Sequence, residues 1–174
     1  MLEKFIPDMY QKSIFTIDYK KLKSNGIKCI LFDVDNTICP ISVSKPSRKV
    51  KDLIEKLKDM KFKVIIVSNS PKKRLLPFKE ILEVDCAASS KKPFSFKFKK
   101  ILKEYKFKVN EVAIIGDQLM TDVLGGNRVG ITTILVNPIS SKDHFFTRFT
   151  RILENIIIRR AMKKELFARG QYYE

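Results

Sequence analysis

Apolar residues along this chain fall into short unbroken blocks, separated by stretches in which they return every three or four positions. Cys29-Ile30-Leu31-Phe32, Val64-Ile65-Ile66-Val67, Val84 to Ala88, Val112-Ala113-Ile114-Ile115 and Ile131 to Val136 are the blocks. Runs of this length and composition predict strands buried on both faces, as in a parallel sheet. Between them, Arg48 to Met60 carries Val50, Leu53, Ile54 and Leu57 at helical spacing. Residues 72–82, a segment after Lys92-Pro93 ending near Tyr105, and a stretch through Val123 to Asn127 predict further helices. Asp18 is placed to cap a short helix through Leu22, closed by Asn25-Gly26. Strands alternating with helices of about ten residues predict right-handed βα units on a parallel sheet. The expected fold is α/β and Rossmann-like, with helices on both faces.

The polar residues acquire meaning in that frame. Asp33 and Asp35 follow the first predicted strand, Ser68 and Asn69 the second, Lys92 the third, and Asp117 and Asp122 the fourth. All lie beyond the carboxyl ends of strands, where open α/β sheets bind ligands. Carboxylates converging there would repel one another unless a hard cation neutralised them, and Mg²⁺ takes one or two carboxylates, a backbone carbonyl and waters. A carboxylate can also displace an alcohol from a phosphoryl group, giving an acyl phosphate, and Asp33 is placed for that. Asp35, two residues on, could protonate the leaving oxygen and then deprotonate the attacking water. Ser68 and Lys92 would supply a hydroxyl and a positive charge to the remaining phosphoryl oxygens, and Asn69 a backbone N–H.

Each residue also has a plainer reading. Asp33, Asp35 and Thr37 share the spacing that opens a calcium loop, but Ile38 and Ser44 stand where that loop needs glycine and glutamate. Asp35-Asn36-Thr37 can be a turn or helix cap, Ser68 a cap, Lys92 a surface lysine, and Asp122 an exposed helix position. Lys91 competes with Lys92, which is preferred because the residue before proline is held extended. Gly125, Gly126 and Gly130 read as turn and close-packing residues. His144, the single histidine, has no partner in view.

Taken together, DVDNT at 33–37, VSNS at 67–70, KP at 92–93 and GDQLMTD at 116–122 resemble the four sequential motifs of the haloacid dehalogenase (HAD) superfamily of phosphatases. The resemblance covers roughly residues 28–137. It implies Asp33 as nucleophile and Asp35 as acid/base that also lends its carbonyl to Mg²⁺. It further implies Ser68 and Lys92 as phosphoryl binders, with Asp117 and Asp122 completing the metal site. PDMYQKSIFTID before the first strand and GDQLMTDVLGGNRVG are similar to the capless IIIA group of the YqeG type, related to phosphatidylglycerophosphate phosphatases. The loop Cys39-Pro40-Ile41-Ser42 departs from the acidic or aromatic residue expected there. Only about ten residues, Ile38 to Ser47, separate the first motif from the next helix, too few for a folded lid, so the expected site is open.

Composition adds limits. At 174 residues the chain fits one domain, a catalytic core of about 28–137 followed by a C-terminal basic amphipathic helix in 142–174. Three scattered cysteines, Cys29, Cys39 and Cys86, offer neither a disulfide framework nor a zinc cluster, consistent with a reducing cytoplasm. Lys and Arg number 35 against 19 Asp and Glu, a formal charge of +16, which favours anionic partners: phosphate esters, acidic lipid or nucleic acid. In the C-terminal segment Phe145, Phe149, Ile152, Leu153, Ile156 and Ile157 fall on one helical face, and Arg148, Arg151, Asn155 and Arg159 on another. That helix is expected to cover the sheet with its apolar face, or to lie peripherally on anionic membrane, where each cation contributes about 1 kcal/mol. The expected activity is a Mg²⁺-dependent phosphomonoester phosphatase with phosphatidylglycerophosphate as first-choice substrate. The alternatives are a soluble sugar phosphate or nucleotide, or a non-catalytic RNA- or ribosome-binding protein on the same fold.

Overall fold

The computed structural model describes residues 2–141 and 145–174, the side chains of 145–149 excepted. His144 therefore lies outside the described residues, as do the side chains of Phe145, Arg148 and Phe149. Six strands form one parallel sheet: β1 (Met9–Gln11), β2 (Cys29–Phe32), β3 (Lys63–Val67), β4 (Asp85–Ala87), β5 (Val112–Gly116) and β6 (Thr132–Val136), in the order β1-β6-β5-β2-β3-β4. The helices are α1 (Tyr19–Ser24), α2 (Arg48–Asp59), α3 (Lys72–Leu82), α4 (Phe96–Glu104), α5 (Leu124–Val129) and α6 (Phe145–Lys163). Five strands match the apolar blocks; β1 was not expected. Its three residues, Met9-Tyr10-Gln11, are too short and mixed to signal a strand, and pairing with β6 specifies them.

Side-chain alternation along the strands fills two separate layers. Ile30, Phe32, Val64, Ile66, Ala113 and Ile115 pack with residues of α1, α2 and α3, including Leu22, Ile54, Leu57 and Phe78. Cys29, Leu31, Ile65, Val67, Val112 and Ile114 pack on the other face with Phe98 and Ile101 of α4. Strands buried on both sides read as continuous apolar runs for this reason. Capping sets the helix starts: the Asp18 carboxylate accepts from the Lys21 N–H at 3.0 Å, and the Ser47 hydroxyl from the Val50 N–H at 3.3 Å. At Gly126 an added Cβ would lie 2.5 Å from Thr133 Cγ2 and 2.7 Å from Ile114 Cγ2, so α5 approaches the sheet only without a side chain there.

The third cluster corrects the expectation for α6. Ile158 and Ala161 pack with Tyr10, Leu119, Val123, Leu135 and Phe167, and Glu154 is completely buried beside them. Ile152, Leu153 and Ile156, on the face expected either to cover the sheet or to lie on membrane, are exposed, so that face does not cover the sheet. The face carrying Arg151 and Glu154 turns inward because carboxylates and backbone groups at the sheet edge await it there. Among the described residues no helix is long and apolar enough to cross a membrane.

Candidate active site

Register places the site. Phe32 lies opposite Ile66 on β3 and Ile115 on β5, so the residues after these strands emerge together at one edge. Asp33 continues the ladder, its N–H donating to the Ile115 carbonyl at 3.0 Å. Asp33, Asp35, Ser68, Asn69, Lys92 and Gln118 line one open cavity of about 460 Å³, together with Met120 and Thr150. A cavity of about 720 Å³ opens at the opposite end of the sheet, between residues such as Ile27, Asn127 and Thr132, and contains none of these side chains. The chemistry-bearing residues choose the smaller one.

Within the site, Asp33, Asp117 and Asp122 each present a carboxylate oxygen within 4.8 Å of the others, and all three are buried. Lys92 reaches into this group, donating to Asp33 Oδ1 at 2.7 Å and to Asp122 Oδ1 at 2.5 Å. Lys91 is exposed, and Lys92 is the lysine that enters this group. Asn69 holds the backbone of that lysine from both sides, accepting from its N–H at 2.7 Å and donating to its carbonyl at 3.1 Å. Asp122 sits on a π-helical turn, Leu119–Val123, and is buried where a surface helix position was an open alternative. Its carboxylate lies against the backbone at Gly116, where an added Cβ would come within 2.2 Å of Asp122 Cγ.

Asp35 faces a different set of partners. The Ser70 hydroxyl donates to its Oδ2 at 2.6 Å, while Arg74 donates Nη2–H at 2.9 Å and Nε–H at 3.2 Å to its Oδ1. Arg74 also ties down the β2–α2 loop through the Val43 carbonyl at 2.6 Å. On the other side, Arg151 from α6 donates to the Asp117 carboxylate and, at 3.0 Å, to the Asp117 carbonyl. Glu154 fixes that arginine at 3.0 Å and accepts the Met120 N–H at 3.0 Å. Thr37 donates to Asp117 Oδ1 at 3.2 Å.

Sequence reading missed Ser70, Arg74, Arg151 and the side-chain contact of Thr37. Ser70 and Thr37 stood inside quoted motifs, but Arg74 and Arg151 were two cations among 35. Nothing in spacing alone selects them.

Electrostatics follow from crowding. Burial pushes the Asp33 carboxyl up to about 7, against the pull of Lys92 and with a further push from Asp122. Burial likewise carries Asp117 up to about 8, against Arg151. Burial also works against the charge on Lys92, yet Asp122 and Asp33 outweigh it and raise its pKa. A buried group of three carboxylates is the donor set that a hard divalent cation relieves.

A parallel sheet of this order, with paired Asp33 and Asp35 after a central strand and Lys92 reaching the same edge, defines a HAD-like phosphoric monoester hydrolase. The family model described as mitochondrial PGP phosphatase matches residues 2–140, and the chain belongs to that family. It is 39% identical over 165 residues to "Probable phosphatase YqeG" of Bacillus subtilis (strain 168), covering 94% of this chain and 96% of that one. It is 28% identical over 179 residues to phosphatidylglycerophosphate phosphatase 1, chloroplastic/mitochondrial, of Arabidopsis thaliana, covering 92% of this chain and 49% of that one. In fold it is similar to a HAD superfamily (subfamily III A) hydrolase from Legionella pneumophila, with a TM-score of 0.52 and 20% identity over 83% of this chain and 88% of that one.

Proposed function

We propose that the protein hydrolyses the phosphomonoester of phosphatidylglycerophosphate through an aspartyl-phosphate intermediate. The observation that carries this reading is the convergence of Asp33, Asp117, Asp122 and Lys92 at the mouth of an open cavity. An Asp33 oxygen attacks phosphorus, forming the acyl phosphate as the bond to the glycerol oxygen breaks. Asp35 gives that oxygen its proton, then takes one from the water that attacks the acyl phosphate. Inorganic phosphate leaves and both carboxyl groups return to their starting states. Ser68 and Asn69 bind phosphoryl oxygens beside Lys92, which neutralises their charge.

Asp33, Asp117, Asp122 and the Asp35 carbonyl would hold Mg²⁺. Bound there, Mg²⁺ neutralises the clustered carboxylates and the charge developing on the phosphoryl group. Asp35 must exchange Arg74 for the leaving oxygen, which makes Arg74 a neighbour that sets when the acid is available. The lipid substrate is supported by kinship with the Arabidopsis thaliana enzyme and by a cavity that is open among the described residues. Such a substrate brings the protein to a bilayer surface as a peripheral partner.

The test is hydrolysis of phosphatidylglycerophosphate beside a panel of soluble sugar phosphates and nucleotides. Wild type should prefer the lipid, and Asp33→Asn should lose at least about 10³-fold in kcat while keeping its fold. Appreciable turnover by Asp33→Asn would show the nucleophile misassigned; preference for a soluble ester would replace the substrate.

A further inference from the structure

Apart from those on α6 and the segment after it (Ile152, Leu153, Ile156, Met162, Leu166 and Tyr172), large apolar side chains left in solvent are unevenly placed on this molecule. The connections and first helical turns after the carboxyl ends of strands expose Phe15, Val43, Leu76, Phe94, Phe96 and Ile139. Among the described residues, the segments entering the amino ends expose only Val109. Phe94 and Phe96 are 64% and 50% exposed, and they directly follow Lys92-Pro93 on the cavity wall. Single exposed apolar residues are ordinary, but a group gathered at the sheet edge that holds the cavity marks an interaction surface.

Charge on three of these connections is one-sided. Residues 38–49, 68–76 and 88–100 contain no Asp or Glu, while Lys45, Arg48, Lys49, Lys72, Lys73 and Lys91 are exposed within them. The site's own carboxylates are buried behind this rim. Aromatic and aliphatic side chains interleaved with lysines suit the boundary of an anionic bilayer, where apolar groups enter the acyl region and cations meet head groups. A nucleic-acid backbone would engage the cations but gives Val43, Leu76 and Ile139 nothing to contact. A second copy of the chain would bring two like-charged rims together, which opposes association.

We propose that this rim, centred on Phe94 and Phe96, is a docking surface for an anionic lipid bilayer and turns the open cavity toward the head groups. The proposal rests on the phospholipid reading above, although docking itself requires no turnover.

Flotation of the full-length protein with phosphatidylglycerol-containing vesicles and with pure phosphatidylcholine vesicles tests it. Wild type should bind the anionic vesicles only. Phe94→Ser/Phe96→Ser and Lys72→Glu/Lys73→Glu should each weaken binding about tenfold or more, with p-nitrophenyl phosphate hydrolysis unchanged, and Val109→Ser should bind as wild type. The proposal is overturned by undiminished binding of the double variants, by equal binding to both vesicles or to neither, or by an equal loss in Val109→Ser. Salt-dependent RNA binding tighter than vesicle binding would reassign the rim to nucleic acid. A concentration-dependent dimer broken by Phe94→Ser/Phe96→Ser would reassign it to self-association. Vesicle binding without hydrolysis of phosphatidylglycerophosphate would sink the substrate and keep the docking surface; hydrolysis without vesicle affinity would do the reverse.

Discussion

Gly116 shows how a residue with no side chain can shape a site made of charged ones. Asp122 reaches Lys92 only because its carboxylate lies against the Gly116 backbone, in space that any Cβ would occupy at 2.2 Å. Gly116→Ala must therefore move Asp122, and the crowding should cost about 1–3 kcal/mol of stability. The expected outcome is a lower urea midpoint together with weaker Mg²⁺ binding by calorimetry. Unaltered metal affinity would mean that Asp122 does not contribute to a cation site. At this same scale, Lys92 and Lys91 look alike as neighbouring cations before a proline. What separates them is burial, since only Lys92 enters the space between Asp33 and Asp122.

α6 is the element whose pattern points the wrong way. Its most regular apolar spacing faces solvent at Ile152, Leu153 and Ile156, and its buried side is anchored by Arg151 and Glu154. Glu154 accepts from the Met120 N–H and from Arg151, so its removal takes one partner from each. A lost hydrogen bond to a charged group costs about 1.5–3 kcal/mol, whereas an exposed apolar substitution usually stays within about 0.5 kcal/mol. In urea unfolding, Glu154→Ala should be strongly destabilised and Leu153→Ser close to wild type. The opposite ranking would show that the apolar stripe packs on the core. β4 is a quieter case of the same kind. Only Asp85–Ala87 pair with β3, so the block Val84 to Ala88 overstated that strand by a residue at each end.

For the molecule as a whole, the site is a cluster of buried carboxylates, paired with Lys92, Arg74 and Arg151, at the edge of an otherwise apolar sheet. A cation that binds only the folded state stabilises it by mass action, about 2.7 kcal/mol at a hundred times its Kd. Stripping divalent metal should therefore lower Tm by several degrees, and restoring Mg²⁺ should recover it in wild type but not in Asp122→Asn. A Tm indifferent to Mg²⁺ would argue against a resident cation. The sheet itself should be insensitive to this exchange, because its two apolar layers close around β2, β3 and β5 without help from the site.

The chain's own pattern determined five of the six strands, the helices between them, and the arrival of Asp33, Ser68, Lys92, Asp117 and Asp122 at one edge. Strands buried on both faces must be apolar throughout, and parallel winding leaves their carboxyl ends together, so both features are local in sequence. Tertiary structure alone decided the rest. β1 exists because β6 offers it a partner, Arg74 and Arg151 were chosen from many cations by the carboxylates they meet, and α6 turned its Glu154 face inward to reach them. Each of these depends on what a residue touches across the fold, and one-dimensional spacing carries no record of that.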